Sequence, residues 1–143
     1  MRYQQIRAAI EGPLQTAFGA LSPAIPVFFD NITAAPANTT TEYVRVNISF
    51  GLTTEPSLTN NLDFARGSVV VRVCSEKGKG PARSQTLLDT AVTTLLSLSA
   101  STRDGSGIYL RPGAINGPTF STTDSSPHLV GRIDTSFVAE DQD

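Results

Sequence analysis

The strongest constraint on how this chain folds is an alternation near its middle. From Glu42 to Phe50, Val44, Val46, Ile48 and Phe50 alternate with Tyr43, Arg45, Asn47 and Ser49. Side chains along a strand point to opposite faces in turn, so this run predicts a strand with one buried and one polar face. A second run, Ser68 to Ser75, holds Val69, Val70, Val71 and Val73 and is nearly apolar throughout. That is the pattern of a strand covered on both faces. Gly51 to Gly67 between them is polar, turn-rich and too long for a tight hairpin. The two strands and their connection predict a long β-hairpin arm.

Helices flank this hairpin. Ile6, Ile10, Leu14 and Phe18 recur every four residues and form one apolar stripe. Gly12-Pro13 interrupts it, and proline removes a helix donor and clashes with the preceding turn, so a kink or two short helices are expected there. Ile25 to Asp30 reads as a short strand whose Pro26 favours a sheet edge. Thr33 to Thr41 reads as a loop. After the Lys77-Gly78-Lys79-Gly80-Pro81 hinge, Leu87, Leu88, Ala91, Leu95 and Leu98 predict a second amphipathic helix from about Ala82 to Ser99. Arg103 to Gly107 reads as a turn. Ile108 to Leu110 and Pro118 to Thr122 are short strand candidates around an Arg111-Pro112-Gly113 turn, and His128 to Ala139 is the last strand. The acidic end, residues 139–143, is expected to fray.

Helices separated by runs of strands, without βαβ alternation, predict an α+β fold. The expectation is a single domain over residues 1–143, with one mixed, mostly antiparallel sheet and two helices packed on one face.

Composition narrows the function. Net charge is −2, and Ser plus Thr supply 31 of 143 residues, so the polar surface is mostly neutral hydroxyl. Capture of nucleic acid or anionic membrane by bulk charge is disfavoured. One Cys and one His exclude an internal disulfide and a Cys/His zinc site. No apolar run approaches the roughly 20 residues that span a bilayer, and the N-terminus lacks the apolar stretch of a signal peptide. The expectation is a soluble protein made in a reducing compartment.

Local chemistry is sparse. His128 follows Pro127 with no nucleophile or acid pattern beside it, and reads as a surface or interface residue. Cys74 lies inside an apolar strand and reads as a small hydrophobe, with Arg72 the nearest basic group on its face. Lys77 to Gly80 precedes a helix, but Arg83 stands where a dinucleotide fingerprint needs its third Gly, and no phosphate-loop spacing is present. A hinge, or an intersubunit salt bridge from Lys77 or Lys79, is the better reading. The acidic residues are scattered without calcium-loop spacing. No catalytic, cofactor or metal site is read from the sequence.

The order of these elements resembles a known family. Ile6-Arg7-Ala8-Ala9-Ile10 leads into Pro26-Val27-Phe28-Phe29-Asp30-Asn31, followed by Tyr43-Val44-Arg45-Val46-Asn47-Ile48. A Val-rich strand then enters Gly78-Lys79-Gly80 and a long helix, and the chain closes on Gly131-Arg132-Ile133-Asp134-Thr135-Ser136-Phe137. Over residues 3 to 139 this is similar to the tail terminator, or tail completion, proteins of long-tailed bacteriophages with a gpU-like fold. The resemblance implies a structural virion protein with no enzymatic activity and no cofactor. Such proteins form a homo-oligomeric ring, typically a hexamer, that caps the tail tube and ends its polymerisation. The implied location is the tail–neck junction of a virion assembled in the bacterial cytoplasm. The implied partners are the major tail tube protein and a neck or head-completion protein, with DNA passing through unbound and no membrane involved. A neck connector ring is the nearest alternative; a small enzyme acting through an acid pair is a more distant one.

A closed ring needs complementary patches on opposite sides of one subunit. On this expectation Leu52, Leu58, Leu62 and Phe64 are apolar anchors on the Gly51 to Gly67 arm, with Arg66 beside them. Lys77, Lys79 and Arg111 are further contact candidates, and the Arg111-Pro112-Gly113 turn and the Thr33 to Thr41 loop are candidate rims.

Overall fold

In the computed structural model, residues 3–21, 25–30, 42–54, 62–76, 82–101, 108–121 and 128–142 are described. The elements are α1 (Tyr3–Gly19), β1 (Val27–Phe28), β2 (Tyr43–Thr54), β3 (Leu62–Glu76), α2 (Ala82–Ser101), β4 (Ile108–Ser121) and β5 (His128–Gln142). The five strands form one sheet in the order β1-β2-β3-β5-β4. Only the β1–β2 pair is parallel. The α+β class and the mixed, mostly antiparallel sheet are as the sequence predicts.

Register explains the core. Val44, Val46 and Ile48 on β2 stand opposite Val73, Val71 and Val69 on β3, and these stand opposite Gly131, Ile133 and Thr135 on β5. All lie on one face, and the core joins them to Ile6, Ile10, Leu14 and Phe18 of α1 and to Leu87, Leu88, Ala91, Leu95 and Leu98 of α2. Both helices therefore cover the same side of the sheet. On the helix side of β3, Ala65, Val69, Val71, Val73 and Ser75 are buried, while Val70, on the opposite face, is half-buried. The expectation that both faces of β3 are covered is corrected: the sheet has an open face, and the apolar run reflects β3's central place in the order.

Close approach of α2 to the sheet requires Gly131. A Cβ there would lie 2.7 Å from Ser84 Oγ and 2.9 Å from Leu88 Cδ1. The exposed side of α2 satisfies its hydroxyls locally. Thr86, Thr90 and Thr94 each donate to the carbonyl four residues earlier, at 2.9, 3.4 and 2.9 Å. Arg83 grips the Glu42 carboxylate through Nε at 3.0 and 3.2 Å and ties the start of α2 to the start of β2.

Four details differ from the sequence reading. First, of the kink or two short helices expected at Pro13, the two-helix alternative does not form: α1 is one helix with Pro13 inside it; Ile10, Leu14 and Phe18 are all fully buried across that point, so packing holds the helix together. Second, both strands of the hairpin are longer than predicted, running to Thr54 and from Leu62. Third, residues 111–113 are not a turn. They lie inside β4, one continuous edge strand with register shifts between Pro112 and Ile115 and between Asn116 and Thr119. Thr135 Oγ1 sits 3.2 Å from the carbonyl oxygens of both Gly113 and Ala114, so it supplies a donor where the first shift interrupts the ladder. Fourth, the acidic end does not fray before Gln142, because Ala139 to Gln142 pair with Leu62 to Ala65 of β3. The loop Thr33 to Thr41, the hinge Lys77 to Pro81 and the turn Arg103 to Gly107 lie outside the described residues.

Candidate functional site

The β-hairpin ends in a surface that is neither core nor loop. After Phe50 the β2–β3 register shifts, and pairing resumes at Thr53↔Ala65 and Thr54↔Phe64. Leu52, at that shift, is 66% exposed, the most exposed large apolar side chain among the described residues. Tyr3 of α1 hydrogen-bonds through its hydroxyl to Thr53 Oγ1, and its ring meets Phe50 edge-on at 4.8 Å between centroids. Phe50 in turn meets Phe137 edge-on at 5.9 Å. The strand on either side of the exposed leucine is thus tied to α1 and the core through Phe50 and Thr53.

The arm is not a free two-stranded ribbon over its described length. Every residue of β3 from Leu62 to Glu76 has a partner on β5. The described part of β3 is therefore held on both sides, and β2 is the outer strand.

The exposed backbone edge of β2 is partly sealed. Val44 N–H donates to the Pro26 carbonyl at 2.9 Å, in the stretch paired with β1. Where β1 ends, side chains take over: Ile48 N–H donates to Asp30 Oδ2 at 2.9 Å, and Arg7 Nη2 donates to the Ile48 carbonyl at 3.1 Å. Arg7 also pairs with Asp30 and Glu11. Asn47 Nδ2 donates to Asp30 Oδ1 at 2.7 Å and its Oδ1 accepts from Arg72 Nη1 at 2.8 Å, carrying the network round the strand to the open face. Burial alone would push the Asp30 carboxyl up, but the Ile48 amide, Asn47 and Arg7 together hold it below its ordinary value. An edge strand invites pairing with another chain. Here β1 and this cluster close it as far as Ile48, which leaves Phe50 to Thr54 paired with β3 on the inner side and with no strand on the outer side among the described residues.

The open face carries the charge. Arg45, Arg66, Arg72, Arg111 and Arg132 share it, together with Asp134 and Glu140. Arg111 pairs with Glu140 at 3.3 Å and Arg132 with Asp134 at 3.2 Å. Tyr43 and Cys74 stand opposite each other on this face. Burial and the hydrogen bond with Cys74 push the Tyr43 phenol up to about 12. Burial also raises the Cys74 thiol, against Tyr43 and the nearby Arg72 and Arg45. Cys74 is buried and free, the inert thiol that its sequence context predicts, although its cover comes from Tyr43 on the open face.

A shallow depression of about 80 Å³ lies at the second β4 irregularity, lined by Asn116, Gly117, Thr119, Arg132 and Asp134. Gly117 is required there: its φ is 105°, and a Cβ would meet the Arg132 carbonyl oxygen at 2.8 Å. No group of three or more His, Cys, Asp or Glu among the described residues could hold a metal ion. No helix among them is long and apolar enough to cross a membrane.

The structure divides the candidate contact residues. Leu52 is exposed at the hairpin end; Phe64 is half-buried and Arg66 exposed on the open face; Leu62 is a β3 residue paired with Gln142. Arg111 is exposed on the same face as Arg66, with Val138 between them in register. Leu58, Lys77 and Lys79 lie outside the described residues. The Asp30 cluster was not read from the sequence; the acid followed by the alternating strand 42–50 was the available signal, but pairing across 18 residues left no periodic trace.

No protein-family model and no curated protein matches the chain. The fold recurs among 32 solved chains. One of them, named only by a serial identifier, superposes with a TM-score of 0.61 at 21% identity, covering 97% of this chain and 96% of that one. Likeness at that identity shows the fold alone.

Proposed function

We propose that the chain is a ring-forming structural subunit of a phage tail, of the tail terminator kind, acting at the end of the tail tube. The observation that carries this reading is the hairpin end. Leu52 is 66% exposed between Phe50 and Thr53, both of which contact Tyr3 of α1, beside an edge that is sealed up to Ile48 and has no outer strand beyond it among the described residues. A lone exposed leucine is ordinary on a protein surface, but one beside an unpaired strand edge fits an interface between subunits. The resemblance in element order to tail terminators supports the same reading, and the hydroxyl-rich, weakly charged composition suits burial at subunit contacts.

Exchanging Leu52 for Asp tests it. The side chain lies outside the core, so the fold and melting temperature are expected to hold while light scattering shows a shift from ring to monomer. Unchanged ring mass in Leu52→Asp would remove the hairpin end from the assembly contact. Deleting Thr54 to Asp63 instead would remove ladder pairs, because Thr54 pairs with Phe64 and Leu62 and Asp63 pair with β5.

A further inference from the structure

The two sides of the subunit differ in charge. Of the exposed residues described on α1 and α2, Asp89 alone is charged; the others are small, hydroxyl, amide or apolar. A helix face turned to water normally carries charge. The cores of protein interfaces are depleted of it, so a helix layer this poor in charge suits burial against another protein surface. The open sheet face on the other side is rich in arginine. Arg45, Arg72 and Arg132 stand abreast in a row on β2, β3 and β5, and Arg66 stands apart from that row, six residues away along β3.

Each side also presents a charge without a partner. Asp89 on α2 and Arg66 on β3 are exposed and make no hydrogen bond or ion pair among the described residues. Apolar surface lies at a matching distance from each. Leu96, 53% exposed, is two helical turns beyond Asp89 on the same stripe, about 10 Å along the axis, with exposed Thr93 between them. Half-buried Val70 is four residues beyond Arg66 on the same face of β3, about 13 Å along the strand. Between Arg66 and Val70 the face is low: Ser49, Ser68 and Ser136 stand in register across β2, β3 and β5, and the first two hydrogen-bond to each other at 2.8 Å.

We infer that the outer face of α2 in one copy of this chain packs along β3 on the open sheet face of the next, with Asp89 against Arg66, Thr93 over the serine row and Leu96 on Val70. This rests on the ring reading and gives the ring a second contact besides the hairpin end. The helix layer and the open face are opposite sides of one subunit, so the contact is head-to-tail, the kind that closes into rings. The opposite charges fix the register and the direction in which neighbours add, while the apolar pair supplies buried area. Nucleic acid is the other partner that an arginine-bearing face could take. It would meet the arginines and leave the charge-poor helix layer uncovered, whereas a second copy accounts for both faces.

Charge reversal in the full-length chain tests the contact, with mass by light scattering against protein concentration. Both charged residues are exposed and outside the core, so the far-ultraviolet circular dichroism of each variant is expected to match that of the unaltered chain. Arg66→Glu and Asp89→Lys are each expected to raise the concentration needed for assembly at least tenfold, roughly the effect of one lost charge pair. The double variant restores opposite charges in the reverse order and is expected to recover most of the loss. Leu96→Asp is expected to weaken assembly as well. Single reversals that assemble as well as the unaltered chain, or a double variant no better than either single one, overturn the docking and leave the ring reading standing. An unaltered chain that stays monomeric even with tail tube subunits added removes both. Fluorescence anisotropy with duplex DNA completes the test: salt-dependent binding abolished by Arg66→Glu, with assembly intact, assigns the open face to nucleic acid and overturns the proposal.

Discussion

Replacing Asp30 isolates the cluster that seals the edge of β2. The carboxylate accepts from the Ile48 amide at 2.9 Å, from Asn47 Nδ2 at 2.7 Å and from Arg7. A net value of about 1 kcal/mol for each of three such bonds gives about 3 kcal/mol. The Asp30 side chain is 31% exposed, so water replaces part of this, and about 2 kcal/mol is expected for Asp30→Ala. For a domain of this size that lowers the melting temperature by about 8 °C. The pH dependence follows from the depressed carboxyl. A group whose pKa is lower folded than unfolded adds stability that is present above its ordinary value, 3.8, and is lost as pH falls through the folded value. The unaltered chain and Asp30→Asn should therefore differ at pH 7 and converge below pH 3.8. Thermal unfolding followed by circular dichroism, at concentrations where all variants have the same mass, measures both. Asp30→Asn within 0.5 kcal/mol of the unaltered chain at pH 7, or a gap that stays constant down to about pH 2, would refute the reasoning.

Three further outcomes can be checked on the same samples. Gly67→Ala places a Cβ 2.4 Å from the Ser49 carbonyl oxygen and 2.6 Å from the Phe137 ring, so it should cost about 1–3 kcal/mol in chemical denaturation. Ile133→Ala, 1% exposed at the centre of the sheet, should cost about 2–5 kcal/mol and leave a folded chain with a lower denaturation midpoint. Cys74, buried with its thiol pushed up, should react with a thiol reagent at pH 8 far more slowly than in denaturant; equal rates would contradict its burial.

Much of the fold is legible wherever one face is buried and periodicity follows. The stripe Ile6, Ile10, Leu14 and Phe18, the α2 leucines and the Val44 to Phe50 alternation each announce their element, because burial repeats at 3.6 or 2 residues. Strand β4 is harder to read. Pro112, Gly113, Gly117 and Pro118 are all turn signals, yet the strand survives because it needs to pair on one side only and its register slips absorb the misfits. The pairing of the acidic end depends on Leu62 to Ala65 lying beside it, which no local pattern records. The same holds for the candidate site. Leu52 can be picked out as an apolar residue in a polar segment, whereas the arginine row exists only once register sets residues 45, 72 and 132 side by side. Asp30 becomes an edge seal only through contacts with residues 7, 47 and 48.

The central claim, that this is a ring-building structural subunit, is tested most directly by the solution mass of the purified full-length chain, measured by light scattering together with negative-stain images of the same sample. The account predicts a mass near six times 15.2 kDa and closed particles with a central hole. A single 15.2 kDa species at every concentration, with no closed particles even when tail tube subunits are added, would contradict it.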